Sequence, residues 1–289
     1  MMQYVFFGLL TGSLLAIAAA GFALIRQIEG FLNISHCQYL LIGAILGRAL
    51  MDLGLNVYVA GFLACVIVGL LGTVVSWVVF APLRTKGNLA QFFTSIGLAF
   101  VLYGLIMATW TGSGVKVYQV SFGSTVNFLG ISATVGELIV IAVAWLSVLL
   151  LHIFLSHTRV GLWVRAVASD RVLARTRGVR SALVYSTVWF IATAFAALAG
   201  ILIGILGAVH AELGWQYILT ILAVTVMGGM TNLYGVLASG LILGLVMDLS
   251  SLVIPSKYGL LVAFSIIILV LLFRPEGLFA RSRRQESGK

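Results

Sequence analysis

Charge is what this chain has least of. Only 9% of its 289 residues are charged and only eight are acidic, against about 25% charged residues in ordinary soluble domains. That scarcity excludes a soluble globular domain. The chain also lacks a GxxxxGK[ST] phosphate loop, so it does not bind and hydrolyse ATP itself. It has no GxSxG element, no zinc-protease pattern and no nucleophile constellation, which removes the common hydrolytic chemistries. Its two cysteines, Cys37 and Cys65, lie in apolar segments without metal-site spacing and say nothing about redox compartment. A single histidine without a partnered ligand is not a metal site, and no cofactor is expected.

What is present is apolar length. Hydrophobic residues make up 62% of the chain, in runs near the roughly 20 residues that cross a bilayer. Hydropathy places helices near 4–25, 31–50, 57–80, 90–112, 135–155, 182–206, 217–250 and 259–273. The fold class is therefore all-α: a polytopic transmembrane bundle of about eight spans with broken or re-entrant helices, forming one domain over 1–289. The seventh run is long enough for two short helices, and Gly228 and Gly229, followed by TNLYG, mark the break. The first run starts close to Met1 with no basic n-region and no small-residue cleavage site, and reads as a retained helix. No internal repeat is evident. The segment 113–134 has short alternation and glycine turns, suited to a small hairpin or an interfacial stretch.

The net charge of +9 is a topology signal. Arg26, Arg84, Lys86, six arginines within 156–181, Arg274, Arg281, Arg283, Arg284 and Lys289 can all share one side. Arg48, Lys116 and Lys257 fall on the other. The positive-inside rule puts the majority in the cytoplasm, with the 274–289 tail inside and the N-terminus outside. No basic stripe interleaves with aromatics in a water-exposed segment, which argues against nucleic acid.

Carboxylates buried at mid-membrane would signal ion coupling. Glu29 and Asp170 fall on the cytoplasmic side, while Asp52, Glu212, Glu137 and Asp248 fall toward the outer ends of spans. No Asp, Glu and His relay is formed. Polar residues cluster instead at the head of the second span, in GFLNISHCQYLLIGA. Asn33 is placed to cap that helix by accepting from amides two or three residues on. His36 and Gln38 then lie in its first turns. Such a cluster either satisfies an interrupted backbone or lines a water-filled path. Glycines four apart (Gly8 and Gly12, Gly43 and Gly47, Gly200 and Gly204, Gly240 and Gly244) predict close helix packing, within the chain before any subunit interface.

The longest charged passage is SHTRVGLWVRAVASDRVLARTRGVRS, residues 156–181, with six arginines and one aspartate between two spanning runs. In hydrocarbon each arginine would cost roughly 2.5–3.5 kcal/mol, so it lies in water. Ala166, Ala174 and Asp170, on one helical face by spacing, suit a docking element, with flanking arginines able to meet an acidic partner surface. A solvated basic loop that only sets topology is the plainer alternative.

These motifs together resemble the permease subunits of bacterial ABC importers for branched-chain amino acids, specifically the shorter of the two permeases, over nearly the whole length. The carriers are GLLTGSLLAIAAAGFALI at 8–25; Asn33, His36, Gly43 and Ala44; Pro82, Leu83 and Arg84; and Thr94, Ile96, Gly97 and Leu98. To these are added Arg159, Gly161, Arg165, Ala166, Asp170, Ala174, Gly178 and Val179, then VMGGMTNLYGVLASGLILG at 226–244 and FRPEGLF at 273–279. Ser35, Cys37, Gln38 and Met230 depart from the usual residues. The resemblance implies a bacterial inner-membrane protein that pairs with a second permease, two ATP-binding cassette subunits and an extracytoplasmic substrate-binding protein. Coupling to the ATPase falls to a helix over 158–178, with Thr158, Arg159, Gly161, Arg165, Ala166, Asp170, Ala174 and Gly178. The pathway or gate falls to Asn33, His36, Gln38, Thr94, Gly228 and Gly229. The solute is a branched-chain amino acid or a related small organic molecule such as urea, an amide or an aromatic acid. A stand-alone ion-coupled transporter is the rival class, and would need intramembrane charge or inverted repeats.

Overall fold

The computed structural model describes residues 1–289 except 111–113, 119, 121–124, 129–130, 231, 256–257, 275 and 280–289. Lys257, Arg281, Arg283, Arg284 and Lys289 therefore lie outside the described residues, as does most of the 274–289 tail. Helices dominate: α1 (Met2–Glu29), α2 (His36–Asp52), α3 (Val57–Val75), α4 (Asn88–Thr109), α5 (Val135–His157), α6 (Arg159–Ser169), α7 (Arg171–Thr176), α8 (Ser181–Leu206), α9 (Leu213–Gly228), α10 (Leu233–Ser250) and α11 (Gly259–Phe273). A π turn over Ser76–Phe80 and a short 3-10 segment over Ala81–Leu83 carry α3 onward. Pro82 sits here because it cannot donate the N–H that a regular helix needs four residues on.

The all-α bundle is as expected, and its apolar helices are of unequal length. Among the described residues, six helices are long and apolar enough to cross a bilayer: Met2–Glu29, Val57–Leu83, Asn88–Thr109, Val135–His157, Ser181–Leu206 and Leu233–Ser250. α9 and α11 are apolar but shorter, and α2 has 17 residues. Hydropathy merges the broken pair at 217–250 into one run and adds the non-helical stretch 30–35 to α2. The break itself falls where the glycines predicted it, between Gly228 and Leu233.

α1 is the core of the molecule, with every residue from 12 to 25 buried. It packs most extensively on α10 and α8. The glycines explain how helices approach so closely. A Cβ on Gly12 would stand 2.8 Å from the Leu241 Cα, and one on Gly240 would stand 2.7 Å from the Ala16 Cα. Gly43 faces Ala197 and Gly200 faces the Leu40 backbone, which locks α2 onto α8. All four glycine pairs thus serve packing within the chain, as lipid-embedded helices require. α4 is the opposite case: Leu89, Phe93, Phe100 and Leu105 are all exposed along it.

The segment 113–134 does form a hairpin, β2 (Thr125–Phe128) with β3 (Ile131–Thr134), while β1 (Val115–Val117) pairs antiparallel with β4 (Ala208–His210). Tyr118 pins this layer to the bundle by donating its hydroxyl to the Ala44 carbonyl at 2.5 Å. Its ring lies against Gly204.

Candidate functional site

Two interrupted helices and the arginine loop make up the site. α1 ends at Gly30, whose φ of 84° is the left-handed cap that glycine adopts without penalty. The chain then turns back beside α1. His36 Nε2 meets the Ala18 carbonyl at 3.2 Å, and Ala18 is about 16 Å back along α1 from its end at 1.5 Å per residue. So α2 starts deep in the bundle and not at its surface. Asn33, Ser35, His36 and Gln38 are all buried there.

Asn33 is not the N-cap. Ser35 holds that position in an αR conformation with no side-chain cap bond, and the Asn33 Oδ1 accepts from the Ser35 hydroxyl at 2.7 Å. The compact turn over 33–36, with the His36 N–H donating to the Asn33 carbonyl at 3.1 Å, replaces a side-chain cap. The Ile34 N–H donates to Ser95 Oγ at 3.2 Å, and that hydroxyl also lies 3.3 Å from the Leu32 carbonyl. Thr94, the pathway candidate on α4, back-bonds to Ala90 of its own helix at 2.8 Å. Its neighbour Ser95 is the residue of α4 that touches the break. Asn33 Nδ2, His36 Nδ1 and Gln38 Oε1 are buried with no hydrogen-bond partner among the described residues. Buried polar groups are rarely left so, and here three such atoms fall within six residues.

α9 reaches the same depth from the other direction. A Cβ on Gly214 would lie 2.8 Å from the Cys37 carbonyl and 2.9 Å from Gln38 Oε1. At its far end α9 stops at Gly229, φ 86°, and Asn232 caps α10 by accepting from the Gly235 N–H at 3.2 Å. Gly228 lies directly on the backbone of Val236. The chain's last described residues close this break: the Leu278 N–H donates to the Met227 carbonyl at 2.8 Å, and Asn232 Nδ2 donates to the Phe279 carbonyl at 2.8 Å.

The arginine loop is two helices where one was expected over 158–178. Thr158 ends α5 and caps α6, accepting from the Gly161 N–H at 2.9 Å while donating to the Phe154 carbonyl at 2.7 Å. Gly161 is required because a Cβ there would meet the Leu155 Cα at 2.6 Å. Asp170 is extended, φ −152°, and separates the helices. Its carboxylate accepts from the Val172 and Leu173 N–H groups at 2.8 and 3.0 Å. An aspartate competes for backbone donors in this way and so favours caps over helix interiors. It therefore does not share a continuous helical face with Ala166. Gly178, φ 82°, terminates α7. Between the two helices runs a groove of about 510 Å³ lined by Leu162, Trp163, Ala166, Leu173, Ala174 and Arg177. Leu162 and Leu173 are each more than half exposed. Arg159 and Arg165 are also exposed; Arg165 lines a second cavity that reaches Gln27 of α1 and Asn232, Leu233 and Tyr234 at the α10 break.

A buried ion pair went unforeseen. Glu29 was expected only on the charged side of the membrane. Its side chain is fully enclosed, and Arg84 grips it with Nη2 at 2.8 Å and Nε at 3.2 Å from both oxygens. Trp189 of α8 donates its indole N–H to the same carboxylate at 2.9 Å. Arg84 also reaches Ser76 Oγ at 3.0 Å and stacks 3.8 Å above the Tyr185 ring. A lone Glu ending one apolar run and an Arg ending another, at the same end of the bundle, were the available sequence signal.

Among the described residues, no three His, Cys, Asp or Glu side chains gather as a metal site. No solved structure matches the chain. Among curated proteins, the high-affinity branched-chain amino acid transport system permease protein LivH of Salmonella typhimurium is 30% identical over 97% of this chain and 96% of its own length. BraD of Pseudomonas aeruginosa, named for the same kind of transport system, is 27% identical over 95% and 94%. The ribose import permease protein RbsC of Escherichia coli is 24% identical over 89% and 81%. The family described as "Branched-chain amino acid transport system / permease component" matches residues 4–271, and the chain, a bundle of apolar helices with two interruptions, one of them at a buried polar cluster, belongs to that family of permeases.

Proposed function

We propose that the chain is one of two permease subunits of an ATP-driven ABC importer in a bacterial inner membrane, carrying a branched-chain amino acid or a related small organic solute. The observation that carries this reading is the pair α6–α7, whose groove is mostly apolar with Arg177 and Asp170 in its lining, on a segment with exposed arginines. That is the anatomy of a protein-docking surface, and the chain has no phosphate loop of its own. The groove receives an ATPase subunit; a second permease completes the pathway and an extracytoplasmic binding protein delivers solute. On this reading the arginine side is cytoplasmic and about eight crossings are made, with α2 and α9 as partial spans.

The pathway runs past the buried break at Asn33, His36 and Gln38. Both ends of the bundle's moving parts meet the loop: Arg165 shares a cavity with Asn232–Tyr234, and Arg171 reaches Gly30. Closure of the ATPases against α6–α7 is then felt at both interrupted helices, a rigid-body gating step.

Reconstituted vesicles test this directly. Uptake is expected only with the second permease, both ATPases, the binding protein and ATP present, and it should survive collapse of the ion gradients. Accumulation by this chain alone, driven by a proton or sodium gradient without ATP, would overturn the reading.

A further inference from the structure

Two cations and an amide converge on Gly30 at the end of the bundle that carries the arginine loop. Arg26, in the last turn of α1, donates Nη1 to the Gly30 carbonyl at 2.5 Å. Its Nε is buried without a partner. Asn88, in the first turn of α4, donates Nδ2 to the same carbonyl at 3.3 Å. Arg171, first residue of α7, reaches the same glycine. A Cβ on Gly30 would lie 3.1 Å from both Arg171 Nη2 and Asn88 Nδ2.

Among the described residues, no acidic side chain forms an ion pair with Arg26 or Arg171. The ion pairs among the described residues are Arg48 with Asp52 and Arg84 with Glu29. Glu29 is adjacent in sequence but is enclosed and already held by Arg84 and Trp189. Asp170, next to Arg171, turns its carboxylate to the Val172 and Leu173 amides. Two guanidinium groups held on one residue repel unless an anion lies between them. The free N–H groups at the start of α4 add further positive potential.

The surroundings say which anion. α4 leads away from Asn88 with Leu89 69% and Phe93 61% exposed, an apolar face rising from the foot of the cluster. A group with a phosphate at one end and acyl chains at the other matches both features. Guanidinium forks pair with phosphate oxygens in bidentate fashion, and basic pockets beside spans on the positive side of a membrane take anionic headgroups. We propose that Arg26, Arg171 and Asn88 bind the phosphate of an anionic phospholipid at Gly30. The site stands whether or not α6–α7 docks an ATPase.

The purified chain in detergent is titrated with dioleoyl phosphatidylglycerol or phosphatidylcholine, and bound lipid is counted by native mass spectrometry. The wild type should retain the glycerol lipid preferentially. Arg171→Gln, at an exposed position that does not threaten folding, should weaken retention about fivefold, since a basic residue near the surface is worth about 1 kcal/mol. Arg26→Gln should act similarly, and Arg175→Gln, an exposed arginine on α7, should not. Equal retention by the wild type and Arg171→Gln would overturn the site. A third arm supplies glycerol phosphate without acyl chains. If millimolar glycerol phosphate raises the melting temperature as much as the lipid does, and Arg171→Gln abolishes both effects, the ligand is a soluble phosphate and the lipid assignment falls.

Discussion

The enclosed pair of Glu29 and Arg84 makes an asymmetric prediction. The Glu29 side chain has no exposure, whereas Arg84 retains 22%. Removing Arg84 strands a carboxylate that cannot reach water, and breaking a buried pair in this way costs about 3–5 kcal/mol. The Trp189 indole offsets part of that loss, since it still donates to Glu29 at 2.9 Å. Removing Glu29 instead leaves a guanidinium that can turn toward water and keeps Ser76 Oγ and the Tyr185 ring as partners. Glu29→Gln also preserves an acceptor for Trp189. Its cost should be about 1–2 kcal/mol, the size of a charge-assisted hydrogen bond.

The assay is thermal unfolding of the purified chain in one detergent, followed by loss of monodispersity. At about 2–4 °C per kcal/mol for chains of this size, Arg84→Met should melt about 6–15 °C lower and Glu29→Gln only a few degrees lower. The double variant Glu29→Leu with Arg84→Met should be more stable than Arg84→Met alone, because no charge is left stranded. An Arg84→Met protein as stable as Glu29→Gln would refute the claim that the carboxylate is sealed from solvent.

Packing gives a second contrast: Gly12→Ala should destabilise by about 1–3 kcal/mol because its methyl group meets α10 backbone, whereas Gly97→Ala, with open space around it, should be neutral or slightly stabilising in the same melt. Asp170→Ala removes both cap bonds of the six-residue α7 and should cost about 1 kcal/mol locally, seen as faster amide exchange over 171–176, while Asp170→Asn should exchange like the wild type. Ala166→Trp should fill the α6–α7 groove and abolish capture of the ATPase while leaving the permease folded; full capture and full transport would remove the groove from the docking surface. His36→Leu should lower solute transport at least tenfold without loss of ATPase capture, since it lies far from the arginine loop in sequence and deep in the bundle; normal transport would show that the break is not on the pathway.

The spans, the break at Gly228–Gly229 and the glycine contacts were legible because each rests on local composition: apolar length, a glycine pair, or small residues one turn apart. The charged passage at 156–181 was legible for the same reason as a segment apart from the spans, and it folds as the short helices α6 and α7. What the sequence hid were outcomes of competition. Helical spacing placed Asp170 beside Ala166, but a carboxylate that can satisfy two amides stops the helix instead. Asn33 had the chemistry of a cap, yet the backbone turned tightly enough for Ser35 to take the position. The ion pair at Glu29 joins residues 55 apart in sequence, and no local pattern reports such a distance. Arg171 read as one arginine among six; only the packing of α7 against Gly30 sets it apart.

The two interruptions are related by more than their polar content. α10 is fastened to α1 along its length by Gly8, Gly12, Gly240 and Gly244. α2 and α9 touch each other where Gly214 meets Cys37 and Gln38. Each is joined to the α1–α10 pair through a glycine at positive φ, Gly30 at 84° and Gly229 at 86°. These are the positions where backbone rotation is least restricted by a side chain. The arginine loop touches the α1–α10 side of both joints, through Arg171 at Gly30 and through the cavity that Arg165 shares with Asn232. Arg171 and Arg165 thus place α6–α7 beside both joints, and α2, which follows the first of them, carries the buried cluster of Asn33, His36 and Gln38. If the pathway runs past that cluster as proposed, rotation at Gly30 is the shortest route by which a displacement of α6–α7 would reach it.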